Sequence, residues 1–141
     1  MTRVSFYVLK GEQEQARQLF ACRLAEKAYK LGHEVFIHTR DAEHSEQINQ
    51  ALWAFRDDSF VPHQLNTDEG AAHSPVLIGH DSSPPRLMNL LINLNEEQPL
   101  FFSQFERVAE LINDQHEIKS AGRSRYQFYK QRGYELETFK I

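Results

Sequence analysis

The feature that most constrains the fold is a strand–helix–strand pattern within the first 38 residues. Residues 3–9 (Arg-Val-Ser-Phe-Tyr-Val-Leu) are rich in the β-branched and aromatic types that favour strands. Apolar residues then recur three or four positions apart from Gln13 to Leu31, as on an amphipathic helix, and Gly32 follows where a helix would end. Glu34–His38 is typical of a second buried strand. Because such βαβ units build parallel sheets, the sequence predicts an α/β fold.

Further elements continue this alternation over a chain of 141 residues, the size of one ordinary domain. Asp41 can cap a helix over residues 42–54, and Pro75–Gly79 has the pattern of a short buried strand. The apolar run Leu87–Leu94 fits either a strand or a buried helix. The remaining predictions are an irregular connector and two helices: 57–74, 100–113 and 120–131.

The loop after the first predicted strand lacks the residues of a phosphate site. A phosphate cradle needs several small residues followed by Lys and Ser or Thr, whereas Lys10–Ala16 has one glycine and two glutamates. The Gly-x-Gly-x-x-Gly, Walker and Gly-x-Ser-x-Gly patterns do not occur in the sequence. We therefore expect no nucleotide site and no catalytic residues. A nucleotide- or metal-dependent enzyme is the weaker hypothesis. The fold alone cannot decide between an enzyme and a non-catalytic binding protein, because one fold serves many functions.

Metal, redox and membrane roles find little support in the sequence. The seven histidines include no His-x-x-x-His pair, and the set His73, His80 and Asp81 lies in a segment expected to be mobile. Cys22, the only cysteine, lies on an apolar helix side and is expected to be packed and inert. The first nine residues enter a strand pattern directly, and no run approaches the roughly 18 apolar residues of a membrane helix. We therefore expect a cytoplasmic domain without metal or cofactor.

The first feature that indicates a function is the aromatic segment 51–65. It contains the only tryptophan, Trp53, and continues through Phe60, Val61 and Pro62 into a loop. Loops lie on protein surfaces, and exposed aromatic side chains often anchor protein interfaces. The alternative is that Trp53 and Phe60 fill the core beneath the connector, and the residues alone do not separate these two interpretations.

The second feature is a separation of charge. Residues 118–134 contain five basic and no acidic residues, so with a net charge of −4 for the whole chain the remainder carries −9. Such a segment, interleaved with aromatic residues, suits an acidic peptide with an apolar group, or single-stranded nucleic acid. A solvated basic helix is the alternative. Two groups follow helical spacing and would occupy neighbouring faces: Lys119, Arg123 and Tyr126, and Arg125, Tyr129 and Arg132.

In order along the chain, these segments resemble the chi subunit of bacterial DNA polymerase III. The Leu-Trp pair together with Ser-Phe-Val-Pro-His is the most specific part of the likeness, which covers nearly the whole sequence. The matching segments are Phe6–Leu9, Ala51–Ala54, Ser59–His63 with Leu65, Arg123–Tyr126 with Tyr129, and Gly133–Leu136.

The resemblance implies a single Rossmann-like domain over residues 1–141, with a parallel or mixed sheet flanked by helices and no bound nucleotide. It also implies a non-catalytic accessory role, in which the psi subunit tethers the chain to the clamp loader. The chain would grip the acidic C-terminal tail of the single-stranded DNA-binding protein, which ends in Pro-Phe with a free carboxylate. A repair helicase is a further implied partner, which competes with psi.

Matching positions to motifs assigns roles to single residues. Lys119 and Arg123 would bind the carboxylate and the acidic residues of the tail, while Tyr126 and Ile112 would line the pocket for its terminal ring. The implied psi surface is formed by Trp53, Phe60, Val61 and Pro62. The segments 66–74 and 81–86 depart from the family, the first being acidic and the second having a single basic residue. We therefore expect contact with DNA only through other proteins.

Overall fold

The computed structural model, which describes residues 1–68 and 71–141, contains one sheet of seven strands with helices on both faces. The strands lie in the order β3-β4-β2-β5-β6-β1-β7, and every neighbouring pair is parallel. This confirms the predicted α/β fold. In chain order the elements are β1 (Arg3–Val8), α1 (Glu14–Lys30), β2 (Val35–His38), α2 (Ala42–Ala54), β3 (His63–Leu65), β4 (Val76–Gly79), β5 (Leu90–Asn93), β6 (Arg107–Ile112), α3 (His116–Gln131) and β7 (Glu135–Lys140), with 3₁₀ turns at Ala71–His73 and Phe102–Gln104.

Two apolar cores lie on opposite faces of this sheet. Helices α1 and α2 pack on one face, and α3 packs on the other. The central strands β2, β4 and β5 are buried along their whole length, as expected for parallel strands covered on both sides. Cys22 lies in the first core, where burial raises the pKa of its thiol to about 12. It is therefore the packed cysteine that its apolar neighbours predict.

The helix predicted over residues 100–113 is wrong. That segment forms a 3₁₀ turn followed by strand β6, which runs beside β1 and β5. Its apolar residues do not alternate because both faces of β6 are covered: Val108 and Ile112 enter one core, while Ala109 and Leu111 enter the other. A strand buried on both sides loses the two-residue period that distinguishes it from a helix. The ambiguous run Leu87–Leu94 is the strand β5 with its flanks.

Three smaller differences concern the ends of the sheet and of α3. The predicted connector 57–74 includes the edge strand β3, and its residues 69 and 70 lie outside the described residues. Helix α3 begins at His116, four residues before the predicted start at Ser120. The exposed edge strand β7 was not predicted, because its alternation of charged and apolar residues has no buried face to mark it.

Candidate partner-binding surfaces

Helix α3 is held against the sheet by a close approach at Gly122. A side-chain carbon added at Gly122 would lie 2.5 Å from the Cδ1 atom of Ile112, so any larger residue would require Ile112 or the helix to shift. Ile112 is 6% exposed and lies almost wholly beneath the helix. It therefore forms part of the floor under α3, and little of its side chain is available to line an open pocket.

A buried polar cluster next to this contact fixes the rotation of α3. Glu110, which is fully buried, accepts hydrogen bonds from Arg125 Nε at 2.9 Å and from the Tyr129 hydroxyl at 2.7 Å. The amide of Asn93 donates to both carboxylate oxygens at 3.1 Å, and Arg125 also donates to the carbonyl oxygen of Glu96. Burial, with the negative charge of Glu110 beside it, raises the pKa of Tyr129. The phenol therefore remains protonated and acts as a donor.

This cluster corrects the prediction of a second binding face on α3. Arg125 and Tyr129 point into the protein, where they are 3% and 0% exposed, and so they are not surface residues. Of the predicted group only Arg132 is exposed, and its guanidinium carbon lies 3.7 Å from the ring centroid of Phe128. The sequence offered one signal for the cluster: Glu110 is a single carboxylate within the apolar run Val108–Ile112, where it requires a buried partner.

The first predicted group does share the outward face of α3. Lys119 and Arg123 are both exposed, and Lys119 lies 3.8 Å from Asp114. Within residues 1–68 and 71–141, the Arg123 guanidinium has no hydrogen-bond or ion-pair partner. The half-buried Tyr126 packs its ring edge against Phe6, with centroids 5.3 Å apart. The face thus combines two exposed cations with one partly accessible ring, and in this arrangement it can bind an anionic group.

The second predicted surface lies at the other end of the sheet, beside β3. Trp53 and Phe60 are 55% and 63% exposed, and their ring centroids are 5.7 Å apart. Pro62 beside them is half-buried. Val61, however, is 1% exposed and belongs to the core on the α1 side. Its side chain supports the surface from within and is not available for direct contact.

The loop after α2, which carries Phe60 beside Trp53 of the helix, is tied to the rest of the fold. Glu26 of α1 accepts a hydrogen bond from the Ser59 hydroxyl, which lowers the pKa of that carboxyl, and it also lies 3.3 Å from the Arg56 guanidinium. On the other side, His63 places its ring nitrogens 2.6 Å from the carbonyl oxygen of Val61 and 3.1 Å from that of Asn49. Trp53 at the end of α2 and Phe60 in the anchored loop are therefore both exposed on a well-ordered part of the fold.

The crevice at the carboxyl ends of the strands, where open α/β sheets bind their ligands, is acidic. Its only basic residue in the described part of the chain is Arg40, and negative charge from the glutamates there opposes the binding of phosphate groups. Among the described residues, no three His, Cys, Asp or Glu side chains lie close enough together to hold a metal ion. His73, His80 and Asp81 therefore do not form such a group. The acidic lining consists of Glu12, Glu14, Glu43, Glu46, Glu96 and Glu117.

None of the described helices is long and apolar enough to cross a membrane.

Comparison with known proteins identifies the family to which the chain belongs. The family model described as "DNA polymerase III chi subunit, HolC" matches residues 1–137. The DNA polymerase III subunit chi of Pseudomonas aeruginosa is 40% identical over 141 residues, covering 100% of this chain and 98% of that protein. The subunit chi of Escherichia coli strain K12 is 28% identical over 145 residues, covering 98% and 97% of the two chains.

Among solved structures, the crystal structure of T4 UvsW matches with a TM-score of 0.68 at 10% sequence identity. The match covers 99% of this chain and 42% of that one, and it shows a shared fold alone. The Rossmann-like topology is therefore common to both proteins, while the similarity in sequence over the whole chain is to the polymerase subunits. Since the family model spans nearly all of the sequence, the chain belongs to the chi subunit family of DNA polymerase III.

Proposed function

We propose that this chain is a non-catalytic, cytoplasmic accessory subunit of the DNA polymerase III holoenzyme. In this role it links the clamp loader, through psi, to the acidic C-terminal tail of the single-stranded DNA-binding protein. The observation that carries the proposal is the Arg123 guanidinium, which has no partner among the described residues, beside Lys119 and Tyr126 on the outward face of α3. The acidic crevice at the usual nucleotide position supports a role in binding proteins instead of catalysis.

The chemistry of α3 suits a peptide that ends in an aromatic residue with a free carboxylate. A hydrogen bond between a guanidinium and a carboxylate contributes about 1.5–3 kcal/mol. Arg123 can donate this bond without first breaking another one, because it has no partner among the described residues. Tyr126 offers the edge of an apolar slot, and Lys119 adds positive charge for acidic residues further up the tail.

The Trp53 surface suits a partner that covers aromatic side chains. Trp and other aromatic residues at the centre of an interface contribute much of its binding energy. Two adjacent rings that are each more than half exposed leave apolar area in contact with water, and a bound psi subunit would remove it. A repair helicase that uses the same two rings would compete with psi.

The test is a fluorescence-anisotropy titration of the full chain with a labelled acidic peptide that ends in Asp-Ile-Pro-Phe. The matched control is the same peptide with an amidated C-terminus. Micromolar binding, equivalent to about −8 kcal/mol, that disappears on amidation is the expected result. Equal binding of both peptides, or of neither, would overturn the assignment of α3 as a tail-binding surface.

Direct binding of single-stranded nucleic acid is the alternative function for α3, and the structure weakens its basis. Base stacking needs accessible rings, yet Tyr129 is buried and Phe128 already carries the guanidinium of Arg132. The basic residue Arg125 is neutralised inside the protein by Glu110. An oligonucleotide of thymidines, titrated under the same conditions, is expected to leave the anisotropy unchanged.

A further inference from the structure

A basic concavity lies on the opposite face of the sheet from α3, at the amino ends of β1, β5 and β6 on the α1 side. It encloses about 320 Å³. Its rim carries the cations Arg3, Lys27 and Arg107, and its apolar wall is formed by Leu24, Leu31 and Leu90. We call this site the amino-end pocket. It takes no part in the two surfaces described above.

Two arginines lie side by side at the base of the amino-end pocket. Arg3 of β1 and Arg107 of β6 are register partners on adjacent parallel strands, and both lie on the α1 side of the sheet. Like charges at such positions destabilise a sheet unless an anion compensates them. Glu135 is the register partner of Arg3 on β7, but it forms no ion pair with Arg3 within 4 Å.

Within residues 1–68 and 71–141, the three cations of the amino-end pocket form neither an ion pair nor a side-chain hydrogen bond. None of the ion pairs or side-chain hydrogen bonds there involves Arg3, Lys27 or Arg107 as a side-chain donor. Glu106, the one acidic residue of the lining, accepts a hydrogen bond from Asn89 at 2.9 Å. Arg107 is half-buried, and removing a guanidinium from water without an acceptor carries a desolvation cost. An anion bound at this point would offset that cost.

We propose that the amino-end pocket binds a peptide segment of a protein partner in which a carboxylate side chain neighbours an aliphatic one. The carboxylate would accept hydrogen bonds from Arg3 and Arg107, and the aliphatic chain would cover Leu31, which is 67% exposed. This inference stands independently of the tail-binding role of α3, because it concerns the opposite face of the sheet.

The lining favours a peptide over single-stranded nucleic acid. Stacking of bases on aromatic rings is a main source of affinity for single strands. The only aromatic ring of the pocket besides the imidazole of His33 belongs to Tyr7, which already packs against Phe20 and Phe139 with centroid distances of 5.3 Å. Leu24, Leu31 and Leu90 form its apolar wall, and they suit an aliphatic side chain better than a base.

The experiment is an NMR titration of the ¹⁵N-labelled full chain with the peptide acetyl-Leu-Glu-Leu-Asp-amide. Acetyl-Leu-Gln-Leu-Asn-amide is the matched neutral control. We expect the acidic peptide alone to shift the backbone and Nε–H signals of Arg3 and Arg107. The substitution Arg107→Gln should weaken binding about tenfold, the loss of one hydrogen bond to a charged group. Arg3→Gln, at an exposed position, is a second variant that tests the same contact if Arg107→Gln disturbs the fold.

Arg123→Ala separates this site from α3, since it should leave the titration unchanged. Shifts that are confined to α3, equal shifts with the neutral peptide, or no shift with the acidic peptide would each overturn the proposal. A thymidine oligonucleotide that shifts Arg3 and Arg107 while the acidic peptide does not would also overturn it, and would assign the pocket to nucleic acid.

Discussion

Arg125 and Glu110 form a salt bridge inside the protein, with Nε 2.9 Å from Oε1 and side chains that are 3% and 0% exposed. Because of this pair, one arginine of α3 is buried and structural while the other is exposed. Arg125 orients the helix on the sheet, whereas Arg123, two residues earlier, is exposed with no partner in the described residues. The sequence places these two arginines together, but only one of them is available to a ligand.

The buried pair predicts a large loss of stability when one partner is removed. Arg125→Ala leaves the Glu110 carboxylate buried without its cation, which should lower the free energy of unfolding by about 3–5 kcal/mol. Urea denaturation measures this change. Arg123→Ala is the matched control and should alter stability by less than about 0.5 kcal/mol, as for other surface changes. Equal effects of the two variants would show that Arg125 is not the anchor.

For binding of the acidic tail peptide, Arg123→Ala is expected to have the large effect that Arg125→Ala has on stability. Arg123→Ala should weaken it about tenfold or more through loss of a charge-assisted hydrogen bond, with an unchanged melting temperature. Arg132→Ala removes the same charge from the same segment, but that guanidinium already packs on Phe128, so it should have a smaller effect. Anisotropy titrations of both variants decide the matter. If Arg132→Ala weakened binding more than Arg123→Ala, the residue that binds the peptide carboxylate would be Arg132, at the end of α3.

At the surface formed by Trp53 and Phe60, we expect substitutions to weaken binding to psi without lowering the free energy of unfolding by much. Trp53→Ala and Phe60→Ala should each weaken binding to psi by about 30-fold, the result of losing about 2 kcal/mol at an aromatic anchor. Both rings are more than half exposed, so unfolding should change by less than about 1 kcal/mol. Val61→Ala is the contrast: it should destabilise the fold by about 1.5–3 kcal/mol because its side chain is buried. Calorimetry of psi binding together with urea unfolding tests all three variants.

Gly122 and Ile112 should show strong coupling. Alanine is favoured over glycine in a helix by about 1 kcal/mol. At this position, however, its side-chain carbon would press on Cδ1 of Ile112, and overpacking costs about 1–3 kcal/mol. Ile112→Val removes that Cδ1 atom, so the double variant should be more stable than the sum of the two single changes. Additive effects in urea unfolding would mean that α3 shifts freely on the sheet.

Glu14 predicts a loss of stability in acid. Partial burial acts to raise the pKa of this carboxyl. The His44 ring, with Nε2 3.6 Å from Oε1, and the hydrogen bonds and positive charge of Arg17 outweigh it and lower the pKa from 4.5 to about 2. A pKa that is lower in the folded state stabilises the fold above the unfolded value, and this contribution is lost as the pH falls from 4.5 towards 2. Glu14→Gln should therefore have a melting temperature that falls less than that of the unaltered protein between about pH 6 and pH 3. An identical fall would show that Glu14 has an ordinary pKa in the folded protein.

The sequence predicts those parts of the fold in which one face is apolar and the other is not. Helix α1 is such an element, and with its flanking strands it was found nearly as expected. Strand β6 was mistaken for a helix because it is buried on both faces, and β7 was missed because none of its residues is fully buried. Lys119 and Arg123 were correctly placed on one face of α3, since helical spacing alone decides this. The burial of Arg125 and Val61 could not be foreseen, because it depends on Glu110 and on core residues that are distant in the chain.

The order of the strands sets β3 and β7 at opposite edges of the sheet, with six inter-strand spacings between them. At about 4.8 Å per spacing, the two edges are about 29 Å apart. Trp53 and Phe60 lie near the first edge, and α3 packs beside the second. With both proposed partners bound, the sheet would serve as a spacer between them. Partners held at its two ends would not collide, and each would stay near the other at a high effective concentration even while one contact briefly opens.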